Sequence, residues 1–218
     1  MAILAAALTG CSSHTFVEGE SLIVSTKDLP GYAEQSNVVV VDTRTPEEYA
    51  AGHVAGAVNI PTADIVINVP VKNMLTSQKK IEKVMGSNGI SNDTLVLAYD
   101  ANKMGASRLL WSLFMFGHQK VKVVDGGFDA IQTAGIQLST DIEAPAEAVF
   151  TAKEPSANWL ATMDEVRAQA ENPDPHTILL DVRSFEEYAE VGKVPTSLII
   201  PYETNFFSAG TFKTTQIT

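Results

Sequence analysis

One cysteine and four histidines set narrow bounds on what this 218-residue chain can do chemically. Cys11 has no second cysteine to pair with, which excludes an internal disulfide framework and any Cys-cluster metal site. His14, His53, His118 and His176 are scattered and show no paired ligand spacing. Fifteen Lys and Arg against 26 Asp and Glu give a net charge of −11, the wrong sign for a nucleic-acid footprint. An anionic substrate therefore requires local cations or backbone N–H donors. Arg44 and Arg183 are placed for such work. Each follows an apolar run and an aspartate, at the carboxyl end of a strand, where α/β folds gather ligands. Asp42 and Asp181 also offer each arginine a local ion pair tying strand end to helix. The sharper reading makes Arg183 part of an anion-facing wall.

The elements that position these residues come in two copies. VDTRTPEEYA (Val41 to Ala50) recurs as LDVRSFEEYA (Leu180 to Ala189), with an offset of 139 between Asp42 and Asp181. GHVAGAVNIP (Gly52 to Pro61) recurs as GKVPTSLIIP (Gly192 to Pro201), offset by 140. Residues 139–158 carry Pro145, Pro155, five alanines and four acids and read as a linker. Val38 to Val41 and Ile178 to Leu180 read as buried strands of a parallel sheet. Thr45 and Ser184 are N-caps, completed by Glu48 and Glu187 as capping boxes, and Gly52 and Gly192 end the short helices. Ser77 to Met85 has helical spacing, Leu95 to Tyr99 reads as a strand, and Ala106 to Phe116 is an apolar helix ended by Gly117. Val121 to Val124 is a strand, followed by a turn at Asp125-Gly126-Gly127 and a helix from Phe128 to Ala134. With 45% hydrophobic and 19% charged residues the chain can bury a core and is not disordered. Alternation of strands and helices gives an α/β class with mostly parallel, doubly wound sheets.

These blocks resemble the rhodanese family: Asp42, Arg44, Glu48 and Tyr49, then Gly52, His53, Gly56, Ala57, Asn59 and Ile60, then Asp125, Gly126, Gly127 and Phe128. The tandem arrangement is similar to two-domain thiosulfate or 3-mercaptopyruvate sulfurtransferases. The resemblance implies rhodanese-like domains at 21–138 (non-catalytic) and 159–218 (partial), joined by the 139–158 linker. It implies sulfur transfer from a small anionic donor to a thiol or cyanide-like acceptor through a cysteine persulfide, without cofactor or metal. A loop opening into a helix N-terminus would stabilise the thiolate and the anion. In the first copy that place falls at Asp100, which forms no persulfide and reads as a loop anchor accepting N–H bonds. Lys103, Ser107 and Arg108 border the loop and are candidate anion-holding residues, alongside Arg183. Some two-domain members carry an arginine where Glu187 stands. The equivalent of Asp100 in the second copy falls at roughly position 240 by the repeat offset, beyond Thr218. The expectation is thus a second copy cut short and a chain inactive as it stands. The alternative is a non-catalytic rhodanese-like binding or regulatory module. His53 is expected to hydrogen-bond in a turn, and Trp111, Phe114 and Phe116 to serve the core or a domain interface.

Residues 1–20 read as a sorting segment. Met1 to Leu8 are small and apolar, too few to span a bilayer, and Leu8-Thr9-Gly10-Cys11 resembles a bacterial lipobox, although no Lys or Arg precedes Lys27. That resemblance implies lipidation of Cys11 and an extracytoplasmic, lipid-anchored protein.

Overall fold

Short apolar runs and well-capped helices alternate along the computed structural model, which describes residues 21–101, 104–207 and 210–213. In chain order these are β1 (Ile23–Val24), α1 (Leu29–Ala33), β2 (Val38–Asp42), α2 (Pro46–Ala51), β3 (His53–Val54) and β4 (Val58–Asn59). Next come β5 (Val66–Ile67), β6 (Met74–Leu75), α3 (Gln78–Ser87), β7 (Leu95–Tyr99), α4 (Met104–Met115), β8 (Val121–Val124), α5 (Gly127–Thr133) and β9 (Leu138–Ser139). The later elements are α6 (Met163–Glu171), β10 (Leu180–Asp181), α7 (Phe185–Glu190) and β11 (Leu198–Ile199). Five strands pair in parallel, in the order β1-β8-β7-β2-β4. A parallel sheet is covered on both faces, so its central strands are apolar throughout, as VVVV in β2 and LVLAY in β7 are.

Strand periodicity divides the core in two. Val41, Val96 and Ala98 face one layer, packed with Ile81 and Met85 of α3 and Leu109 and Leu113 of α4. Val40, Leu97 and Tyr99 face the other, with Leu29 of α1 and Ile131 of α5. The anticipated cap at Thr45 is present, forming a full capping box with Glu48 on α2, and Ser77 proves to cap α3. On α7, Ser184 accepts the Glu187 N–H, half of the anticipated box.

Residues 139–158 are more than a tether. β9 pairs antiparallel with β3. The chain then lies extended on the sheet's helical layer, with Ala148 N donating to Gly86 O (2.9 Å) and Lys153 N to Phe116 O (2.9 Å). Phe150 and Ala152 are buried in the α3–α4 core. Polar composition hid this strap, since a single aromatic anchors it.

The second set of elements repeats the geometry of the first. Val41 faces Val58 across β2–β4, and Leu180 faces Leu198 across β10–β11, both parallel. Ile60 N donates to Asp42 O at 2.9 Å, and Ile200 N to Asp181 O at 3.0 Å. The expected burial of Ile178 to Leu180 does not hold. Ile178 is 69% and Leu180 50% exposed, and the strand spans only Leu180–Asp181. Apolar sequence produces burial only where neighbours supply it, and among the described residues β10 pairs with β11 alone. No described helix is long and apolar enough to cross a membrane.

Candidate functional site

The carboxyl ends of β2 and β7 meet side by side, and two loops leaving them define the site. Asp42 ends β2 fully buried, and the chain turns so that Arg44 folds back on it. Arg44 Nε lies 3.0 and 3.1 Å from the two Asp42 carboxylate oxygens and Nη2 donates at 2.6 Å, a bidentate pair. Nη2 also donates to Gly52 O at 2.7 Å, tying the strand end to the end of α2. The guanidinium stacks on Phe128, its carbon 3.4 Å from the ring centroid. Burial works against this cation, but the hydrogen bonds and charge of Asp42 prevail and raise its pKa. Burial, reinforced by Asp42, pushes the neighbouring Tyr99 phenol well above its ordinary value. Arg44 is therefore a structural clasp, as its local pairing suggested.

Asp100 follows β7 and is buried. Its Oδ2 accepts the Ala106 N–H at 2.9 Å, at the start of the 12-residue α4, and its carbonyl accepts the Phe128 N–H at 2.8 Å. A carboxylate here satisfies one of the unpaired donors of a helix start and complements the dipole. The loop is tightly wrapped. A Cβ on Gly105 would stand 2.7 Å from Thr43 Oγ1, and one on Gly127, at φ +62°, would run into the Asp100 carbonyl. The loop-anchor role read from sequence is what Asp100 performs.

A cleft of about 1460 Å³ opens above these loops, lined on one side by Arg44, Asp100, Ser107 and Arg108 and on the other by Arg183, Glu187, Phe206 and Phe212. Phe212 N donates to Asp125 Oδ1 at 2.8 Å, stapling the far wall to the turn before α5. Arg183 repeats the Arg44 clasp: Nε lies 3.0 and 3.2 Å from the Asp181 oxygens, and Nη2 reaches Oδ2 at 2.6 Å and Gly192 O at 2.8 Å. The pair raises the pKa of Arg183 and lowers that of Asp181, in both cases chiefly through their hydrogen bonds. Ser107 is exposed at the cleft. Arg108 stacks on Trp111 with its guanidinium carbon 4.6 Å from the ring centroid, and donates through Nη2 to Asn73 O. The i,i+3 spacing of Arg108 and Trp111 was a usable signal for that stack, whereas nothing in the sequence marks Asn73.

Lys103 and Cys11 lie outside the described residues. His53 is buried in its turn, Nδ1 2.8 Å from Tyr49 O, with its ring stacked on Tyr49. Phe116 is core, and Phe114 meets Trp159 edge-on at 6.0 Å, joining α4 to the start of the second set of elements. No group of metal-ligating side chains occurs among the described residues.

The family model for the Rhodanese-like domain matches residues 25–134. A Mycobacterium leprae (strain TN) protein named "Putative thiosulfate sulfurtransferase" is 28% identical over 213 residues, 89% of this chain and 75% of its own length. A similarly named Saccharopolyspora erythraea protein is 26% identical over 214 residues, 90% of this chain and 74% of its own. Among solved structures, SseA from Escherichia coli, described under 3-mercaptopyruvate sulfotransferases, superposes with a TM-score of 0.79. It is 23% identical, and the match covers 89% of this chain and 80% of that one. The 3-mercaptopyruvate sulfurtransferase from Leishmania major gives a TM-score of 0.70 at 21% identity, over 89% of this chain and 59% of the other.

Proposed function

Since the chain belongs to the rhodanese-like domain family, we propose that it serves a tandem sulfurtransferase whose first domain, residues 21–138, is non-catalytic and whose second begins near residue 159. The observation carrying this reading is Asp100. A carboxylate that accepts the Ala106 N–H fills the place where a nucleophilic thiolate would use the same donor. The recurrence of the Asp42–Arg44 clasp at Asp181–Arg183 supports a duplicated unit. The nucleophile is then a cysteine at the second unit's equivalent of Asp100, near position 240 by the repeat offset.

The reaction moves a sulfane sulfur in two displacements. The thiolate attacks the transferable sulfur of a small anionic donor, the outer sulfur of thiosulfate or the thiol sulfur of 3-mercaptopyruvate. The S–S bond breaks and sulfite leaves, or the C–S bond breaks and pyruvate leaves as its enolate, which takes a proton at carbon. A thiol or cyanide-like acceptor next attacks the terminal persulfide sulfur and restores the thiolate. Cys11 is proposed as a lipidation site that holds the protein on the outer side of a bacterial membrane.

Intact-mass measurement tests both parts. The protein from its complete reading frame, given excess thiosulfate, should gain about 32 Da on one cysteine, while the 218-residue polypeptide should gain none and form no thiocyanate from cyanide. Membrane fractions should contain a chain starting at acylated Cys11. Absence of a cysteine in that loop, or a cysteine that never gains sulfur, would shift the reading to a non-catalytic docking module. An unmodified Met1 in membrane fractions would refute the anchor.

A further inference from the structure

The two arginines facing each other across the cleft are electrostatically unlike. Arg183 is bound through Nε and Nη2 to Asp181, and the charge of Glu187 acts on it as well. Two carboxylates to one guanidinium offset the charge of Arg183, and the other described cation on that wall, Lys213, is solvent-exposed. Arg108, on the opposite wall, has no carboxylate partner among the described residues. Its Nε is buried without any hydrogen-bond partner. Its position is fixed all the same, by the Trp111 ring beneath it and by the bond from Nη2 to Asn73 O.

A half-buried guanidinium that lacks a counter-charge is an unusual thing to hold rigidly, because desolvation disfavours the cation and lowers its pKa. Unsatisfied buried donors in folded proteins call for an explanation, and an anionic ligand is the chemical complement here. The planar fork matches a carboxylate or a sulfur oxyanion, and the reduced dielectric of the cleft wall strengthens the attraction. The chain's charge of −11 gives no long-range help, so recognition must be local, and among the cations lining the cleft Arg108 is the one with a buried, unpartnered donor.

We propose that Arg108 is the anion-recognition residue of the cleft, taking a small carboxylate or sulfur oxyanion on the wall formed by the first domain, in place of Arg183. The inference rests on the sulfurtransferase reading only for the class of ligand, an anionic sulfur donor.

The test uses the 218-residue chain itself, titrated with thiosulfate and followed by calorimetry and by the fluorescence of Trp111, which lies under the guanidinium. Saturable binding is expected. R108Q should weaken it at least ten-fold, about 1.4 kcal/mol, and R183Q less than three-fold. R108K, which keeps the charge and loses the fork, should weaken binding at least three-fold and decides the matter if R108Q does not fold by circular dichroism. Equal binding of acetate with the same R108Q loss would support a general anion site. Failure of the wild type to bind, unchanged affinity in R108K, or a larger loss in R183Q than in R108Q would overturn the proposal. Thiosulfate binding needs no cysteine, so a complete protein that never forms a persulfide would sink the sulfurtransferase reading and leave this result standing.

Discussion

Asp42→Asn removes one charge from a pair with almost no access to water: the Arg44 and Asp42 side chains are 6% and 0% exposed. The amide is nearly isosteric, so the substitution leaves no cavity; it leaves a buried guanidinium that has lost its counter-charge. Breaking a buried pair from one side costs about 3–5 kcal/mol, a large share of a total stability of roughly 5–15 kcal/mol. For a chain of this length the melting temperature should fall by about 6–20 °C, at some 2–4 °C per kcal/mol. Thermal and urea melts followed by circular dichroism measure the effect, and Asp181→Asn provides an internal control. The second clasp has the same bond pattern but is 34% and 9% exposed, so water screens what remains after substitution. Its shift should be much smaller. Asp42→Asn combined with Arg44→Met should recover part of the loss, since the unpaired charge goes with it. A cost below about 1 kcal/mol for Asp42→Asn would refute the reasoning, as would an equal shift in the two clasps.

Phe150→Ala tests whether the strap is part of the core. Phe150 is 5% exposed among α3–α4 side chains, so chemical denaturation should show a loss of about 3–5 kcal/mol, and a loss under 1 kcal/mol would make the strap a mere tether. His118, against Phe150 with Nε2 3.1 Å from Lys120 O, is held below its ordinary pKa chiefly by burial. Its folded form thus binds a proton less readily than its unfolded form, whose pKa is about 6.5. Its contribution is present above pH 6.5 and is lost as pH falls from there through the folded pKa. The difference in stability between wild type and His118→Asn should accordingly shrink on acidification from pH 7.5 to 5.5, and a constant difference would contradict it.

The elements from β1 to α5 were legible because their signals are local. The cap at Thr45 and the apolar runs of β2 and β7 needed no knowledge of distant residues. Asp100 was legible for a related reason, since a short acceptor just before a helix has few other roles. What failed to show depends on partners far along the chain. Phe150 sits in a polar segment and is buried by helices more than thirty residues earlier. Ile178 to Leu180 looks like a buried strand, yet burial belongs to the layers around a strand, which the run itself does not encode. Arg44 was legible because its aspartate stands two residues away, whereas Arg108 takes a backbone carbonyl from thirty-five residues earlier, which nothing local marks.

Asp100 links these observations to function. The beginning of α4 presents amide donors and the positive end of a helix dipole, an environment that stabilises whatever negative charge sits there. In the proposed catalytic domain a thiolate would occupy that environment and draw a low pKa from it. At the start of α4 the Asp100 carboxylate accepts one of those donors, the Ala106 N–H at 2.9 Å. Through its carbonyl Asp100 also accepts from Phe128, whose ring carries the Arg44 guanidinium that clasps Asp42. Asp100 thus ties β7 to α4 through its carboxylate and to α5 through its main-chain carbonyl, and Phe128 carries the connection on to β2. The face of the cleft that bears Arg108 is carried by this same helix, whose start Asp100 caps.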